Sequence, residues 1–581
     1  MKYERIEKGI FIERPNRFIA YVRMHGKQET VHVKNTGRCA ELLHPGAEVY
    51  VQESKSENRS TKWDLIAVQK KERLVNMDSQ IPNKVVREWI ESGHLFPAVT
   101  CVQQEKTYKN SRFDLYVETE ERKIFIEVKG VTLEENGVCR FPDAPSERAV
   151  KHVKELCEAR KEGYETYIFF VIQMSDVRYF TPNTDTHPVF AEALKEAKEK
   201  GVKILAYDCK VGENSIEIQK RVPIVLGSPR LKETCEPLIS WFRKNKRRLP
   251  WRERVSAYRV WVSEIMLQQT RVEAVKPYYE RFLKELPDVQ ALAEAQEERL
   301  LKLWEGLGYY NRVRNMQIAA QQMVEKYKGE FPRTFEEIAA LKGIGSYTAG
   351  AISSFAYGIA KPAVDGNVLR VVSRILASGE DIMKAGVRKK IEQLVEEVIP
   401  EEAASDFNQG LIELGALICV PGGEPKCNIC PVKGICLAYE QGKQSKLPVK
   451  KKAKDRRMEK RTVLLFRDTH TVAIKKRPAR GLLAGLYEFP NVKGHLNRKE
   501  IIEYSKAIGL SPVRLKELED AKHIFSHVEW HMKGYEILVD ELEKNCSEEM
   551  IFADEKEIDT RFPIPSAFEA YRSVIKERIS K

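Results

Sequence analysis

Four cysteines close together could hold a metal. Their spacing is Cys419-x7-Cys427-x2-Cys430-x5-Cys436. Four thiolates within 18 residues can surround one metal centre. Zinc and a [4Fe–4S] cluster both accept four thiolates, so the spacing alone leaves the metal open. The total of eleven cysteines is odd, which favours reduced thiols in a cytoplasm.

A Gly-x-Gly motif could bind phosphate. It lies in Leu341-Lys-Gly-Ile-Gly-Ser-Tyr-Thr-Ala, between two stretches with helical periodicity. Gly343 and Gly345 permit a tight hairpin whose backbone N–H groups lie beside a helix N-terminus, and such groups bind phosphate without reading base sequence. A bare Gly-x-Gly is often an ordinary turn. The position between two helices favours a helix–hairpin–helix clamp for nucleic acid.

Two carboxylates lie in different surroundings. Glu264 belongs to the helical stretch Tyr258–Gln269, which is mostly apolar. Partial burial there should raise the pKa of its carboxyl and keep it available as an acid. Asp365 lies at the start of a predicted helix, where the N-terminus favours the ionised form. Taken alone, Glu264 would be a surface glutamate and Asp365 a helix cap. Together they suit an acid and a stabiliser of positive charge.

These motifs together resemble the endonuclease III-like DNA glycosylases and, among them, the adenine glycosylases of the MutY type. The resemblance covers about Leu231–Lys581. Besides the hairpin and the cysteine loop, its motifs are Leu249-Pro-Trp-Arg, Val262-Ser-Glu-Ile-Met-Leu-Gln-Gln-Thr-Arg, Gly306-Leu-Gly-Tyr-Tyr and Ala363-Val-Asp-Gly-Asn-Val. The family implies a [4Fe–4S] cluster on the four cysteines rather than zinc. The first cysteine spacing is seven residues, where the family usually has six.

The same resemblance implies roles for individual residues. Adenine is flipped out of the duplex and protonated by Glu264, while Asp365 faces the oxocarbenium-like sugar. Lyase-competent relatives place a lysine where Tyr347 stands, so base removal without strand cleavage is expected. Arg247, Trp251, Arg252, Leu267 and Glu413 are expected to line or support the pocket, Gln269 and Tyr310 to wedge into the base stack, and Asn367 to support Asp365.

Two carboxyl-terminal motifs resemble the Nudix-like domain with which this family recognises 8-oxoguanine opposite adenine. They are Gly481-Leu-Leu-Ala-Gly-Leu-Tyr-Glu-Phe-Pro and Phe525-Ser-His-Val-Glu-Trp. Ser526 and His527 can hydrogen-bond to the edge of the damaged base. The stretch after Pro490 lacks the glutamate-rich helix that a Nudix hydrolase needs for magnesium, so nucleotide hydrolysis is not expected.

An acidic pair and a lysine occupy two predicted strands of the amino-terminal half. Asp114 lies in Arg112-Phe-Asp-Leu-Tyr-Val, and Glu127 and Lys129 lie in Lys123-Ile-Phe-Ile-Glu-Val-Lys. Residues two apart on a strand share a face. Asp114 and Glu127 could hold Mg²⁺ or Mn²⁺, and Lys129 could steady an attacking hydroxide or a phosphate. The Glu-x-Lys pattern also arises by chance on exposed strands.

The surrounding motifs resemble the sugar fermentation stimulation protein (SfsA) family over about Met1–Leu226. They are Lys34-Asn-Thr-Gly-Arg, Glu41-Leu-Leu-His-Pro-Gly, Glu127-Val-Lys-Gly-Val-Thr-Leu and Phe141-Pro-Asp-Ala-Pro-Ser-Glu-Arg. The resemblance implies a small barrel joined to a restriction-nuclease-like domain with affinity for DNA. It leaves nuclease turnover open.

The elements that position these residues define a multidomain α+β chain. Short β-rich stretches in residues 1–80 predict a barrel of the oligonucleotide-binding type, and residues 81–228 alternate strands and helices as in an α/β domain. Residues 229–437 have almost entirely helical periodicity. Residues 438–461 are rich in lysine and arginine and predict a solvated linker. Strands return in an α+β domain over residues 462–581.

Composition narrows the class of protein. The chain has 581 residues with 98 basic and 85 acidic side chains, a formal charge of +13, which favours a polyanionic partner. Hydrophobic residues make up 42%, as in a soluble globular protein. No apolar run approaches the roughly 18 residues of a membrane span, and the start has no signal-peptide pattern. We therefore expect a cytoplasmic protein without a membrane partner.

The sequence thus predicts a monomeric fusion: an SfsA-like module, an adenine DNA glycosylase and an 8-oxoguanine recognition domain. Its expected partner is double-stranded DNA with adenine:8-oxoguanine mispairs. One alternative is a glycosylase/lyase acting on oxidised pyrimidines, against which Tyr347 and the Phe525-Ser-His motif argue. The other is a non-catalytic DNA-binding regulator, against which the presence of Glu264 and Asp365 argues.

Overall fold

The computed structural model describes the chain except residues 36, 38, 55–58, 110, 452–455, 541–548, 580 and 581. Two compact units are present, Met1–Lys232 and Glu233–Lys581. Parts of the predicted basic linker and of the motif that begins at Lys34 lie outside the described residues. None of the helices in the described part of the chain combines the length and apolar composition that crossing a bilayer requires.

The first unit begins with a small β-barrel. Its strands are β1 (Ile6–Glu13), β2 (Ile19–Met24), β3 (Lys27–Val33), β4 (Glu48–Glu53), β5 (Trp63–Lys70) and β6 (Arg73–Asn76). They pair in the order β3-β2-β1-β4-β5-β6, and β3 also pairs with β5 to close the barrel. Val22, Val31 and Val49 fill the interior without solvent exposure. The predicted barrel is confirmed, and β6 is a strand that the sequence pattern missed.

A sheet with flanking helices completes this unit. Its elements are α1 (Ile81–Glu91), β7 (Val99–Tyr108), β8 (Ser111–Thr119), β9 (Lys123–Val131), β10 (Leu133–Glu135), β11 (Val138–Phe141), α2 (Glu147–Lys161), β12 (Glu165–Ile172), β13 (Tyr179–Pro182), α3 (Pro188–Glu199), β14 (Lys203–Gly212) and β15 (Ser215–Arg221). The main sheet has the order β15-β14-β12-β9-β8-β7. Parallel pairing of β12 with β9 and β14 requires crossover connections, which contain α2 and α3. Antiparallel pairing joins β8 to β9, the strands that carry Asp114 and Glu127.

Helices dominate from residue 229 onward. They are α4 (Pro229–Glu233), α5 (Cys235–Asn245), α6 (Pro250–Glu253), α7 (Ala257–Leu267), α8 (Val272–Glu285), α9 (Val289–Glu294), α10 (Glu297–Leu303), α11 (Asn311–Tyr327), α12 (Phe335–Ala339), α13 (Ser346–Tyr357), α14 (Gly366–Ile375), α15 (Ala385–Glu396), α16 (Ala404–Leu417) and α17 (Leu437–Glu440), with 3-10 helices at Glu401–Ala403, Cys427–Ile429 and Lys433–Ile435. The predicted helical character is confirmed. A shared core contains the rings of Trp261, Phe282 and Trp304.

A mixed sheet with helices forms the carboxyl-terminal part. Its elements are β16 (Arg457–Arg467), β17 (Val472–Lys476), β18 (Tyr487–Glu488), β19 (Asn491–Lys493), α18 (Arg498–Ala507), β20 (Pro512–Glu517), β21 (Ala521–Ile524), β22 (Val528–Val539), β23 (Ile551–Ala553), α19 (Glu555–Thr560) and α20 (Glu569–Ile579), with a 3-10 helix at Ser566–Phe568. The strand β16 begins inside the predicted linker 438–461. That boundary was wrong because β16 pairs along its full length with β22, a distant partner that a basic composition does not reveal.

Candidate active site

Glu264 lies on the wall of a large cleft. It belongs to α7, whose side chains are almost all buried and whose first turn is capped by Ser256, which accepts a hydrogen bond from the N–H of Arg259 at 3.2 Å. The glutamate is 7% exposed. Tyr347 and Asp365 line the same cleft, which has a volume of about 1060 Å³. The structure therefore brings three predicted site residues together.

Burial controls the protonation of Glu264. It raises the pKa of this carboxyl to about 7, and the negative charge of Asp365 acts in the same direction. Tyr347 opposes the rise, because its hydroxyl donates to Oε2 of Glu264 at 2.5 Å. A carboxyl with this pKa holds its proton near neutral pH and can transfer it to a base in the cleft. The rise agrees with the expectation from the apolar helix.

Asp365 caps α14. Its Oδ1 accepts the backbone N–H groups of Asn367 and Val368, both at 2.8 Å, and its Oδ2 accepts the side-chain amide of Asn367 at 2.6 Å. These donors favour the carboxylate, as the position at a helix N-terminus predicted. Burial outweighs them and raises the pKa of Asp365 above its ordinary value. The helix N-terminus thus acts in the predicted direction, but desolvation, which the helix-end argument ignored, is the larger effect.

A buried arginine connects Asp365 to the cysteine loop. Arg370 donates from Nη2 to Oδ1 of Asn367 at 2.8 Å and from Nε to the carbonyl of Cys419 at 2.7 Å. A Cβ at Gly415 would lie 2.6 Å from Cβ of Asn367, so α16 can approach α14 this closely only with glycine there. Sequence reasoning missed Arg370, although an arginine within the apolar face of α14 signals a buried cation that needs partners.

Glu413 holds two arginines in the cleft. Its carboxylate accepts Nε of Arg247 at 2.9 Å and Nη2 of Arg252 at 3.1 Å. Burial alone would raise the pKa of Glu413, but these two cations dominate and lower it to about 2. Trp251 and Leu267 line the cleft beside them. The five predicted pocket residues thus lie together, with Glu413 as the fixed anion.

Neighbouring tyrosines in Gly306-Leu-Gly-Tyr-Tyr differ in exposure. Tyr310, the predicted wedge, is 6% exposed and belongs to the helical core, so that assignment was wrong. Tyr309 is 50% exposed with φ at 50°. Gln269 is exposed as predicted, with φ at 60°. Left-handed non-glycine residues cluster at functional sites. The sequence of two adjacent tyrosines does not indicate which of the two rings is exposed.

The predicted hairpin joins α12 to α13. Gly343 has φ at 76°, and a Cβ there would lie 2.7 Å from Cβ of Asn315, so glycine is required by conformation and by space. Gly345 is the N-cap residue of α13 with φ at −96°, a conformation open to other residues. Both glycines are exposed, and the N-terminus of α13 can receive a phosphate.

The four predicted cysteines line one small cavity beside α14. All are partly buried free thiols, and Nη1 of Arg374 donates to Sγ of Cys419 at 3.1 Å. Among the described residues, no three histidine, cysteine or acidic side chains lie close enough to hold a single metal ion. Four thiols around a common cavity are a donor set that a metal centre can use.

Ser526 and His527 form the exposed tip of the β21–β22 hairpin. Oγ of Ser526 lies 3.3 Å from Nδ1 of His527. Phe525 anchors the tip by packing against Trp530, with ring centroids 4.9 Å apart. The tip therefore presents exposed hydrogen-bonding groups next to a packed aromatic pair.

A second candidate site lies in the unit Met1–Lys232. Glu127 is 1% exposed, and its Oε1 contacts Nζ of Lys129. Its Oε2 is buried without a hydrogen-bond partner among the described residues. On the adjacent strand, Oδ2 of Asp114 accepts the N–H of Val128 at 2.8 Å. The structure thus brings the predicted acidic pair and lysine together.

Two residues that sequence reasoning missed complete this site. His152 from α2 contacts Oε1 of Glu127 through Nδ1, and Asn83 from α1 donates to Oδ1 of Asp114 at 2.9 Å. Burial alone would raise the pKa of Glu127, but His152 and Lys129 outweigh burial and lower it. Burial and the charge of Glu127 raise the pKa of Asp114. A histidine on the apolar face of α2 was the available signal for His152.

Family models match four regions of the chain. Residues 12–77 match the SfsA N-terminal OB domain, and residues 80–215 match the sugar fermentation stimulation protein RE domain. Residues 262–397 match the HhH-GPD superfamily base excision DNA repair protein, and residues 461–573 match the NUDIX domain.

Individual relatives match single parts of the chain. A sugar fermentation stimulation protein homolog from Ruminiclostridium cellulolyticum is 61% identical over 226 residues, which are 39% of this chain and 100% of that protein. The structure of Pyrococcus furiosus SfsA in complex with Ca²⁺ has 28% identity, covers 39% of this chain and 97% of its own, and gives a TM-score of 0.36. The structure of a trapped endonuclease III–DNA covalent intermediate has 23% identity to this chain. The match covers 37% of this chain and 98% of that chain and gives a TM-score of 0.33.

The protonation of Glu264 can be measured directly. Difference infrared spectroscopy between the intact chain and Glu264→Gln should show one carboxyl band that titrates near pH 7. Tyr347→Phe removes a donor that favours the carboxylate, so the midpoint should move to higher pH. Tyr357→Phe, at the far end of α13, serves as the control and should leave the midpoint in place. A Glu264 band that titrates near its ordinary pKa of about 4.3 would contradict the dominance of burial.

Proposed function

We propose that this chain is an adenine DNA glycosylase. The chain belongs to the sugar fermentation stimulation protein family. It continues into a helix–hairpin–helix base excision repair part and a NUDIX domain. The chain is a DNA glycosylase of the base excision repair class. The finer assignment is removal of adenine paired with 8-oxoguanine or guanine. The observation that carries it is the buried Glu264, whose pKa of about 7 suits protonation of a purine leaving group.

The cleft residues divide the chemistry between them. An adenine flipped into the cleft receives the proton of Glu264, which weakens the bond between the base and C1′ of the sugar. The sugar becomes oxocarbenium-like as this bond breaks, and an ionised Asp365 opposite it stabilises the positive charge. Asn367 and Arg370 keep the carboxylate of Asp365 oriented. Water then forms a bond to C1′ and gives its proton to the Glu264 carboxylate, which restores the acid.

Strand cleavage by a covalent intermediate is not part of this proposal. A Schiff base with C1′ requires an amine, and the described residues that line the cleft include no lysine. Tyr347 occupies the position of the lyase amine and instead bonds to Glu264. This supports base removal alone over the alternative of a glycosylase/lyase for oxidised pyrimidines.

Recognition of the duplex uses exposed groups of the unit Glu233–Lys581. The N-terminus of α13 grips a phosphate, and Gln269 and Tyr309 enter the base stack to hold the adenine outside it. Ser526 and His527 read the edge of 8-oxoguanine on the opposite strand. Tyr309 replaces Tyr310 in this role because only its ring is exposed.

The four cysteines fit a [4Fe–4S] cluster. They line a common cavity and are free thiols. When bound, such a cluster ties its ligands into one rigid loop. Arg374 and Arg370, which reach Cys419, couple that loop to the helix that begins at Asp365.

Glu264→Gln tests the acid directly. The change removes the transferable proton and keeps the shape of the side chain, so single-turnover release of adenine from an adenine:8-oxoguanine duplex should fall by about 10²–10⁴-fold. Strands should break only after alkali treatment of the product. Glu325→Gln, an exposed glutamate on α11, is the control. Release by Glu264→Gln at nearly the original rate, or release of oxidised pyrimidines instead of adenine, would refute the proposal.

Iron content tests the cluster. Protein purified without oxygen should be brown, absorb at roughly 400 nm and contain about four irons per chain. Cys427→Ser should lower the absorption near 400 nm and the iron content. Cys101→Ser, at an exposed cysteine in the first unit, should change neither. A colourless preparation with one zinc ion per chain would exclude the cluster.

A second candidate function belongs to the first unit. The buried, unpartnered Oε2 of Glu127 favours a divalent cation held by Asp114 and Glu127. Oxygen ligands of this kind suit Mg²⁺ or Mn²⁺, which supply a Lewis acid at a phosphate. Lys129 would steady the attacking hydroxide, and His152 and Asn83 orient the two carboxylates. We propose metal-dependent phosphodiester cleavage at this site.

Lys129→Ala separates this activity from the glycosylase. Cleavage of DNA or RNA should require magnesium or manganese and should disappear in this variant, while release of adenine stays unchanged. Lys123→Ala, at the exposed start of the same strand, is the matched control. Cleavage that persists undiminished in Lys129→Ala would assign it to another source.

A further inference from the structure

Leucines from the carboxyl-terminal part complete the core of the helical part. Leu486 has no solvent exposure and belongs to the same core as Trp304 and Leu307. Leu483 packs against this core as well. Both leucines lie in the motif Gly481-Leu-Leu-Ala-Gly-Leu-Tyr, which sequence analysis assigned to recognition of the damaged base. In the structure this motif joins two parts of one unit.

Arg314 reinforces the contact. Its Nη2 donates to the carbonyl of Ala484 at 2.8 Å, while its Nε donates to Glu297 at 2.7 Å. Gly485 has φ at 68°, and a Cβ there would lie 2.8 Å from Nη2 of Arg314. The conformation of this position therefore favours glycine, and the absence of a side chain leaves room for the guanidinium group.

Glu305 makes the central polar contact. Its Oε1 accepts the N–H of Ile564 and Nη1 of Arg572, both at 2.9 Å. Its Oε2 lies 2.7 Å from Nζ of Lys302, which also donates to the backbone carbonyls of Ile558 and Phe562. The side chains of this network are 9% to 15% exposed. Removal of the Glu305 carboxylate takes away the anion that two largely buried cations share.

Glu305 directly precedes the loop Gly306–Tyr310, which carries the exposed Tyr309. Gly306 has φ at 97°, and a Cβ there would lie 2.1 Å from the hydroxyl of Tyr278, so the start of the loop is closely packed. At its far end, Arg312 donates to the carbonyls of Leu307 and Gly308. A displacement of Glu305 is therefore passed directly to the loop.

We infer that Leu486, Arg314 and the Glu305–Arg572 pair form an interdomain latch that fixes the hairpin tip Ser526–His527 relative to the loop bearing Tyr309. This inference rests on the proposed function, in which the tip reads 8-oxoguanine and Tyr309 enters the stack. Two groups on different parts can act on the same base pair only if their separation is held. Glu305 and Arg572 are thus positioning residues that set the preference for 8-oxoguanine over guanine opposite adenine.

The test uses the full chain and two duplexes, adenine:8-oxoguanine and adenine:guanine. The ratio of the single-turnover rates of adenine release measures the preference. Glu305→Gln, Arg572→Gln and Arg314→Lys should each lower this ratio by about fivefold or more, and Glu305→Gln combined with Arg572→Gln should lower it less than the product of the two single effects. Arg299→Gln breaks the ion pair with Glu285 inside the helical part and should leave the ratio unchanged.

Amide hydrogen exchange gives a readout that does not depend on activity. The amides of Gly306–Tyr310 should exchange faster in Glu305→Gln and not in Arg299→Gln. An unchanged ratio with unchanged exchange in folded latch variants would overturn the latch. If Glu305→Gln fails to fold, the rate ratio and the amide exchange of Arg314→Lys decide whether the latch exists. This variant keeps a positive charge beside Glu297.

The double variant Ser526→Ala/His527→Ala separates the two proposals. If it also leaves the ratio unchanged, reading by the hairpin tip fails and the proposed recognition fails with it. If it lowers the ratio while every latch variant keeps the original ratio, the latch alone is wrong and the proposed function stands.

Discussion

The buried carboxyl of Glu264 is the constraint on which the helical part depends. A charged carboxylate inside an apolar helix costs several kcal/mol unless it is protonated or paired. Among the described residues, Glu264 has a single close donor, the hydroxyl of Tyr347, and the carboxyl accordingly keeps a pKa of about 7. The helix α13 must therefore begin where the hairpin ends, so that Tyr347 reaches α7. The Gly343–Gly345 hairpin and the carboxyl of Glu264 are parts of one packing arrangement.

The other carboxylates of the cleft differ from Glu264 in their partners. Glu413 is more completely buried, yet two arginines bring its pKa to about 2. The donors that contact Asp365 among the described residues are neutral, and burial raises its pKa. Carboxyl groups in one cleft thus differ in pKa according to whether a guanidinium group lies beside them. Arg370 extends this arrangement to the cysteine loop through Asn367 and Cys419.

The site of the first unit follows the same principle on a sheet. Glu127 is buried beside Lys129 and His152, and its pKa is lowered. Asp114 lies on the neighbouring strand with neutral donors, and its pKa is raised. Strand pairing sets the separation of the two carboxylates, whereas α1 and α2 supply Asn83 and His152. The sheet sets the positions of Asp114 and Glu127, and the side chains packed around them set the pKa of each.

The amino-acid sequence by itself determined the order of the domains, the barrel strands, most of the helices and the residues able to do chemistry. These follow from local periodicity, glycine positions and short spacings, which need no knowledge of distant contacts. It also located Glu264 on an apolar helix, and hence the direction of its pKa shift. The cysteine spacing and the Glu-x-Lys strand likewise identified candidate ligands without any tertiary information.

Tertiary structure alone decided the remaining features. It exposed Tyr309 and buried Tyr310, which are adjacent in a doublet, because only packing selects between neighbouring rings. It raised the pKa of Asp365 despite the donors of the helix N-terminus, because desolvation depends on what packs above a helix end. It brought in His152, Arg370 and the partners of Glu305 from distant segments. Burial and charge pairing are sums over residues far apart in the chain, and no local pattern contains them.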